Sequence, residues 1–202
     1  DSKNNNILGG ITMRRKVYTK DQILKAAYEV VENEGFSGFT ARNIAKKMGI
    51  STQPIYLEFK NMSDLKNTLL DEICNHLYYD IFPEVRTGDT IIDLGLSYVY
   101  FAKEQSNLYN ALYVQEYGGG KKMHDFSYNY FHQLIVEHPK YSKLSEKRIN
   151  ALHVGTWICV TGIATLMSSG IIAPTQDEIV HLINRTITNI LEEEDTSVLD
   201  TL

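Results

Sequence analysis

Thr40–Phe59 reads TARNIAKKMGISTQPIYLEF. Thr40 carries a hydroxyl where a helix N-cap needs one. Ala41, Ile44, Ala45 and Met48 then recur on one side at helical spacing, and the small Ala45 lets a second helix cross closely. Gly49 supplies the left-handed residue that ends a helix. Ser51 is placed to cap a second short helix, whose Ile55 and Phe59 turn inward four residues apart. With that cap, Pro54 is the third helical residue, where the backbone N–H has no intrahelical partner to lose. Thr52, Gln53, Tyr56 and Leu57 are left facing outward. Two short helices joined by a glycine turn, the second beginning with polar side chains, form a helix-turn-helix. Such a second helix can present its first residues to base edges in the major groove.

Working outward, Thr19 caps a preceding helix in which Ile23, Ala26, Ala27, Val30 and Val31 make one apolar face. Gly35 ends that helix, and Phe36 and Phe39 anchor the connection to Thr40. Downstream, Asn61 caps a fourth helix carrying Leu65, Leu69, Ile73 and Leu77, which is expected to run to about Phe82, before Pro83. The remaining sequence predicts helices over about 90–104, 106–117, 121–138, 146–169 and 175–193, interrupted at Gly118–Gly120 and Pro139. No stretch alternates with period two and no internal repeat is found, so the fold class is all-α: an N-terminal three-helix helix-turn-helix unit followed by a larger helical body.

The 202 residues are 43% hydrophobic, enough for a sizeable core. The net charge of −5 is unevenly divided: residues 1–62 hold 10 Lys+Arg and 6 Asp+Glu (+4), and residues 63–202 hold 10 and 19 (−9). Phosphate attraction needs a local basic face rather than a basic protein. The two cysteines, Cys74 and Cys159, fit no metal-ligand spacing and read as buried, reduced thiols of a cytoplasmic protein. His124 and His132 lie two helical turns apart without an acidic residue to complete a zinc set, so no metal and no cofactor is expected. Residues 1–13 are polar and Asn/Gly-rich, and read as a disordered lead or an appended remnant. Residues 151–176 lack Asp, Glu, Lys and Arg. Their many Ser, Thr and Gly residues favour a helix buried on all sides in a soluble protein over a membrane span. A small helical enzyme is the rival reading, but no nucleophile–base pair stands out.

Residues 18–65 resemble the DNA-binding domain of the TetR family of transcriptional regulators. The resemblance is carried by Thr40, Ile44-Ala45, Gly49-Ile50-Ser51, and Tyr56 with Phe59 three residues later. It implies a non-enzymatic, cytoplasmic repressor that binds a palindromic double-stranded operator as a homodimer and leaves it when a small molecule binds. Residues 14–62 would form the DNA-binding domain and 63–202 the ligand-binding and dimerisation domain. By position, Thr40 and Tyr56 would contact phosphates, and Ser51, Thr52, Gln53 and Pro54 would meet base edges. Arg42, Lys46 and Lys60 are assigned to DNA with them. One departure is Met62, where family members usually carry a phosphate-holding lysine; Lys60 or Lys66 is the candidate substitute.

The resemblance fades after residue 70. In the body, aromatic residues concentrate between 98 and 131, and Trp157 follows. Tyr98, Phe101, Tyr109, Tyr113, Phe126, Tyr130 and Trp157 are expected to line a pocket for an apolar or aromatic effector. Gly155, Gly162 and Ser169 recur every seven residues with Cys159 between them, a stripe that lets helices approach closely. Together with Ile179, Ile183 and Ile187 it predicts a dimer interface built as a four-helix bundle across a two-fold axis.

Overall fold

The computed structural model describes residues 18–116 and 118–193, so the expectation for residues 1–13 lies outside the described residues. Among these residues there are nine α-helices and no strand: α1 (Lys20–Glu34), α2 (Ala41–Met48), α3 (Gln53–Glu58), α4 (Met62–His76), α5 (Thr90–Glu104), α6 (Ser106–Tyr109), α7 (Gly120–Glu137), α8 (Glu146–Ser168) and α9 (Gln176–Glu192). The all-α expectation is met.

Local chemistry starts and stops the first four helices. Thr19 and Gln22 form a reciprocal capping box at the start of α1. The Thr40 hydroxyl accepts from the Asn43 N–H, and the Asn61 side chain accepts from the Asp64 N–H. Gly49 ends α2 at φ 67°, ψ 36°, the left-handed conformation that glycine adopts without steric cost. The expected cap on α3 is not formed. Thr52 rather than Ser51 is the N-cap, no side chain caps the helix, and Pro54 falls at its second residue. That position also lacks an intrahelical partner for its N–H, so the proline is accommodated as before.

Two helices end differently from the reading of the sequence. α4 stops at His76 and continues as a single wide π-helical turn, Leu77–Ile81, with the Phe82 N–H donating to the Leu77 carbonyl at 2.9 Å. α6 is one turn long and passes into a second π-helical turn, Asn110–Val114, short of the helix to 117 that was expected.

The body is framed by α5, α8 and α9. Their crossing depends on Gly95: a Cβ there would come within 2.8 Å of Ile183 Cδ1 and 3.1 Å of Val160 Cγ1. Ile179, Ile183 and Ile187, expected at a dimer interface, are instead buried in this core, at 1%, 0% and 4% exposure. The reason is the width of the apolar face of α9, most of which α5 and α8 cover within one chain. The helix expected to be buried on all sides is also corrected. α8 is buried all round from Ala151 to Val154, but further along it buries one side, with Val160, Ile163 and Ala164 covered while Ile158 and Leu166 are 54% and 40% exposed. By length and composition α8 could cross a membrane, but it is packed against α5 and α9.

Head and body meet at Gly35. Its backbone stands at φ 68°, ψ −173°, a region open essentially to glycine alone, and an added Cβ would fall 2.1 Å from Gln115 Oε1. Gly35→Ala is therefore expected to lower the unfolding free energy by about 1–3 kcal/mol, from backbone strain plus the clash. In urea denaturation, adding Gln115→Ala should return only the part due to the clash. Full recovery in the double variant would show that the backbone conformation carries no strain.

Candidate nucleic-acid interface and body cavity

The helix-turn-helix is held from beneath by Ile44, Ala45, Ile55 and Phe59, all buried. Packing of these residues against α1 leaves the opposite sides of α2 and α3 free. Thr40, Arg42, Lys46, Ser51, Gln53, Tyr56 and Lys60 are exposed, while Thr52 and Pro54 are half-buried. Tyr56 is 52% exposed and Leu57 72%, although both belong to residue types that usually seek cover. Lys47 is engaged in an ion pair with Glu29 at 3.0 Å. Arg42, Lys46 and Lys60 form no ion pair among the described residues and carry undivided charge at the surface.

Met62 is partly buried against the core. Of its two candidate substitutes, Lys66 is turned away from this surface: its Nζ donates to the Gly118 carbonyl at 3.2 Å and lies 4.4 Å from the centre of the Phe36 ring. Lys60 alone of the pair stays exposed. The role of Lys66 as a tie to the body could not be read from its position in the sequence, because its partner lies 52 residues away.

In the body, a cleft of about 40 Å³ lies between α5, α7 and α8, walled by Phe82, Ile91, Leu94, Tyr98, Phe131 and Val160, with Ser127, Tyr130, His153, Thr156 and Trp157 also lining it. That space holds about two or three water molecules, so in this conformation the cleft is nearly closed. A second recess of about 190 Å³, lined in part by the same Phe82, Leu94 and Tyr130, lies beside Pro83, Glu84, Asp93 and Leu134. Of the aromatics expected to line a pocket, Tyr98, Tyr130 and Trp157 do so. Phe101 and Tyr109 are instead core residues, 1% and 0% exposed. Tyr113 packs edge-on against Tyr98, and Phe126 stacks on Phe82 behind the wall. The wall residues Phe82, Ser127, His153 and Thr156 were missed. A histidine and two hydroxyls on helices give no signal in one sequence that separates a cavity wall from ordinary core.

His153 is 2% exposed. Its ring stacks on Trp157 and meets Phe131 and His124, and its Nε2 lies 3.1 Å from Ser127 Oγ. Burial, reinforced by the neighbouring His124, pushes its pKa down to about 4. Cys74 is also buried, and burial raises its thiol to about 11, so it is an unreactive thiol. Cys159 is free and only half-buried. No cluster of three His, Cys, Asp or Glu residues able to hold a metal is present among the described residues.

The N-terminal end of α7 ties this cleft to α4. Lys122 pairs with Asp71 at 2.6 Å and donates to the Asn67 carbonyl at 2.9 Å. The next residue, Met123, receives the Cys74 thiol at 3.9 Å. Ser127, Tyr130 and Phe131, one and two turns further along α7, line the cleft.

Residues 23–69 match the family described as bacterial regulatory proteins, tetR family. No curated protein matches the sequence. Several solved structures share the whole-chain fold. A TetR-family transcriptional regulator from Vibrio parahaemolyticus is 15% identical, with 84% of this chain and 96% of that one covered and a TM-score of 0.61. The flavonoid-responsive regulator FrrA is 18% identical over 86% and 95%, with a TM-score of 0.58. The fatty acid degradation regulator FadR from Bacillus halodurans is 15% identical over 90% and 98%, with a TM-score of 0.52.

The burial of His153 gives a stability signature. Its folded-state value of about 4 lies below the ordinary 6.5, so the unfolded chain takes up the proton first. The stabilisation from neutral His153 is complete above about pH 6.5, declines as pH falls, and is gone below about pH 4, a loss on the order of 3 kcal/mol. His153→Asn cannot titrate there. The difference in unfolding free energy between wild type and this variant should therefore shrink in that window; parallel pH profiles would show that His153 is not buried neutral.

Proposed function

With residues 23–69 a TetR-family DNA-binding head, we propose that this chain is a repressor. In this reading it binds a palindromic operator as a homodimer and is released by a small molecule entering the cleft between α5, α7 and α8. The observation that carries the reading is the head itself: a matched family domain whose α3 leaves Gln53, Tyr56 and Leu57 exposed, with Arg42, Lys46 and Lys60 exposed and in no ion pair among the described residues. Division of the chain near residue 62 into a reading head and a sensing, dimerising body belongs to the same proposal.

The exposed face of α8 supports the dimer. Gly155, Ile158, Gly162 and Leu166 follow one another at three- and four-residue steps, a Cβ at Gly162 would meet nothing within 4 Å, and Cys159 is half-buried beside them. On α9 the exposed Leu182 takes over the role first given to Ile179, Ile183 and Ile187. Two copies joined there would set two α3 helices for successive major-groove faces, roughly 34–36 Å apart.

The ties between α7 and α4 support release. A ligand that swells the cleft bears on Ser127, Tyr130 and Phe131, and α7 carries that displacement through Lys122 and Met123 to the helix adjoining the head. The ligand then favours a head spacing unsuited to the operator, a shift between two populations. That one fold relative is described as flavonoid-responsive fits an aromatic effector.

The test separates reading from gripping. Glutamine can form two hydrogen bonds to adenine, worth about 1–3 kcal/mol of discrimination, whereas Lys46 is a point charge suited to the backbone. Against a panel of single-base variants of the chain's own promoter site, Gln53→Ala should flatten preference at one position per half-site and leave the salt dependence intact. Lys46→Ala should weaken all sequences alike and reduce the salt slope by about one per subunit. Fluorescence anisotropy at several salt concentrations measures both. Uniform loss in both variants would remove Gln53 as a reader, and no binding by the wild type would remove the regulator reading.

A further inference from the structure

Among the described residues, two buried polar atoms on cleft-lining side chains have no hydrogen-bond partner. Trp157 Nε1 and His153 Nδ1 are both buried and make no hydrogen bond, and both residues line the same cleft. Buried polar groups are nearly always satisfied in native proteins, so a pair left open at one cavity calls for an explanation. The indole N–H can only donate. The imidazole is more versatile: with Nε2 against Ser127 Oγ at 3.1 Å, Nδ1 accepts or donates according to tautomer. Neighbouring hydroxyls are already engaged, that of Tyr98 with Thr161 Oγ1 at 3.2 Å and that of Thr156 with the Leu152 carbonyl at 2.5 Å.

The rest of the wall narrows the ligand. It contains no Lys, Arg, Asp or Glu. A charged group placed there would lose its hydration with no opposite charge to meet it, so carboxylates and ammonium ions are disfavoured. Burial holds His153 neutral near pH 7, so it offers no charge either. Phe82, Tyr98, Phe131 and Trp157 supply ring surfaces.

We infer that the effector is a neutral aromatic molecule bearing a hydroxyl group, whose oxygen accepts from Trp157 Nε1–H and whose hydrogen is given to His153 Nδ1. This rests on the reading that the cleft is the effector site, and it names the chemistry of that site. A hydroxyl is the simplest group that meets a fixed donor and a tautomeric nitrogen together. The ring supplies the apolar area that keeps the swollen cleft open.

Three probes of equal ring size test it by calorimetric titration of the full-length protein at pH 7: naphthalene, 2-naphthol and 2-naphthoate. 2-Naphthol should bind at least tenfold tighter than either of the others. Trp157→Phe, which keeps a ring but removes the N–H, should cut the ratio of 2-naphthol to naphthalene affinity to below threefold, whatever it does to naphthalene affinity itself. His153→Leu makes the same test independently, and serves alone if circular dichroism shows Trp157→Phe to be unfolded. Naphthalene binding as tightly as 2-naphthol, 2-naphthoate binding tightest, or an advantage that survives in a folded variant overturns the inference and leaves the cleft as an effector site. No heat from any probe, together with no release of operator DNA, overturns both.

Discussion

The body depends on the absence of a side chain at Gly95. There α5 approaches α9 and α8 closely enough for Ile183 and Val160 to occupy the place a Cβ would take. The consequences spread in two directions. Inward, the isoleucines of α9 are drawn wholly into the subunit, so α9 contributes core before it contributes surface. Toward the cleft, Gly95 and Val160 are themselves wall residues, so the crossing that fixes the three-helix frame also fixes one side of the cavity. A rigid frame on that side leaves α7 as the wall able to yield. α7 has fewer ties to the frame, and its N-terminal end is fastened to α4 instead. The firmly crossed and the lightly tied walls thus stand on opposite sides of one small space.

Polar ties gather beside the apolar contact of head and body. Lys66 reaches the Gly118 carbonyl across the Phe36 ring, Lys122 reaches Asp71 and Asn67, and the Gln115 side chain sits where Gly35 has no Cβ. Gln115 and Gly118 lie between the second π-helical turn and α7, and Lys122 lies in the first turn of α7. Exposed ion pairs contribute little stability one by one, so the main bond between the halves is the apolar core, which runs as one cluster from Ile23 to Ile190.

How much was legible in the sequence follows from what each signal depends on. Thr19, Thr40, Asn61, Gly35 and Gly49 act on their own neighbours, and caps and glycine stops were therefore readable from spacing alone. Ser51 misled because a serine before a proline can cap a helix only if the chain enters it at that residue, and here the helix begins one residue later. The inner faces of α1 to α4 were readable because a narrow apolar stripe has one possible direction. α9 was not: Ile179, Ile183 and Ile187 form part of a stripe broad enough to face core or partner, and only the position of α5 decides. The cleft was the least legible. Tyr98, Tyr130 and Trp157 were found by being large and aromatic, but Phe101 and Tyr109 have the same character and fill the core. His153 and Ser127 are adjacent only in space.

The π-helical turn at Leu77–Ile81 has a further consequence. In an uninterrupted α-helix the residue four after the buried Leu77 would point inward, and that residue is Ile81. The wide turn moves the inward place to the fifth, so Phe82 is buried and joins the cavity wall while Ile81 is left half-exposed. Loss of one residue from this turn restores ordinary helical pitch without disturbing α4 above it. The chemistry presented to the cavity is therefore set here by residue count as well as by residue identity. A single-codon deletion here would change which side chain lines the cavity, a kind of change that substitution scanning does not sample.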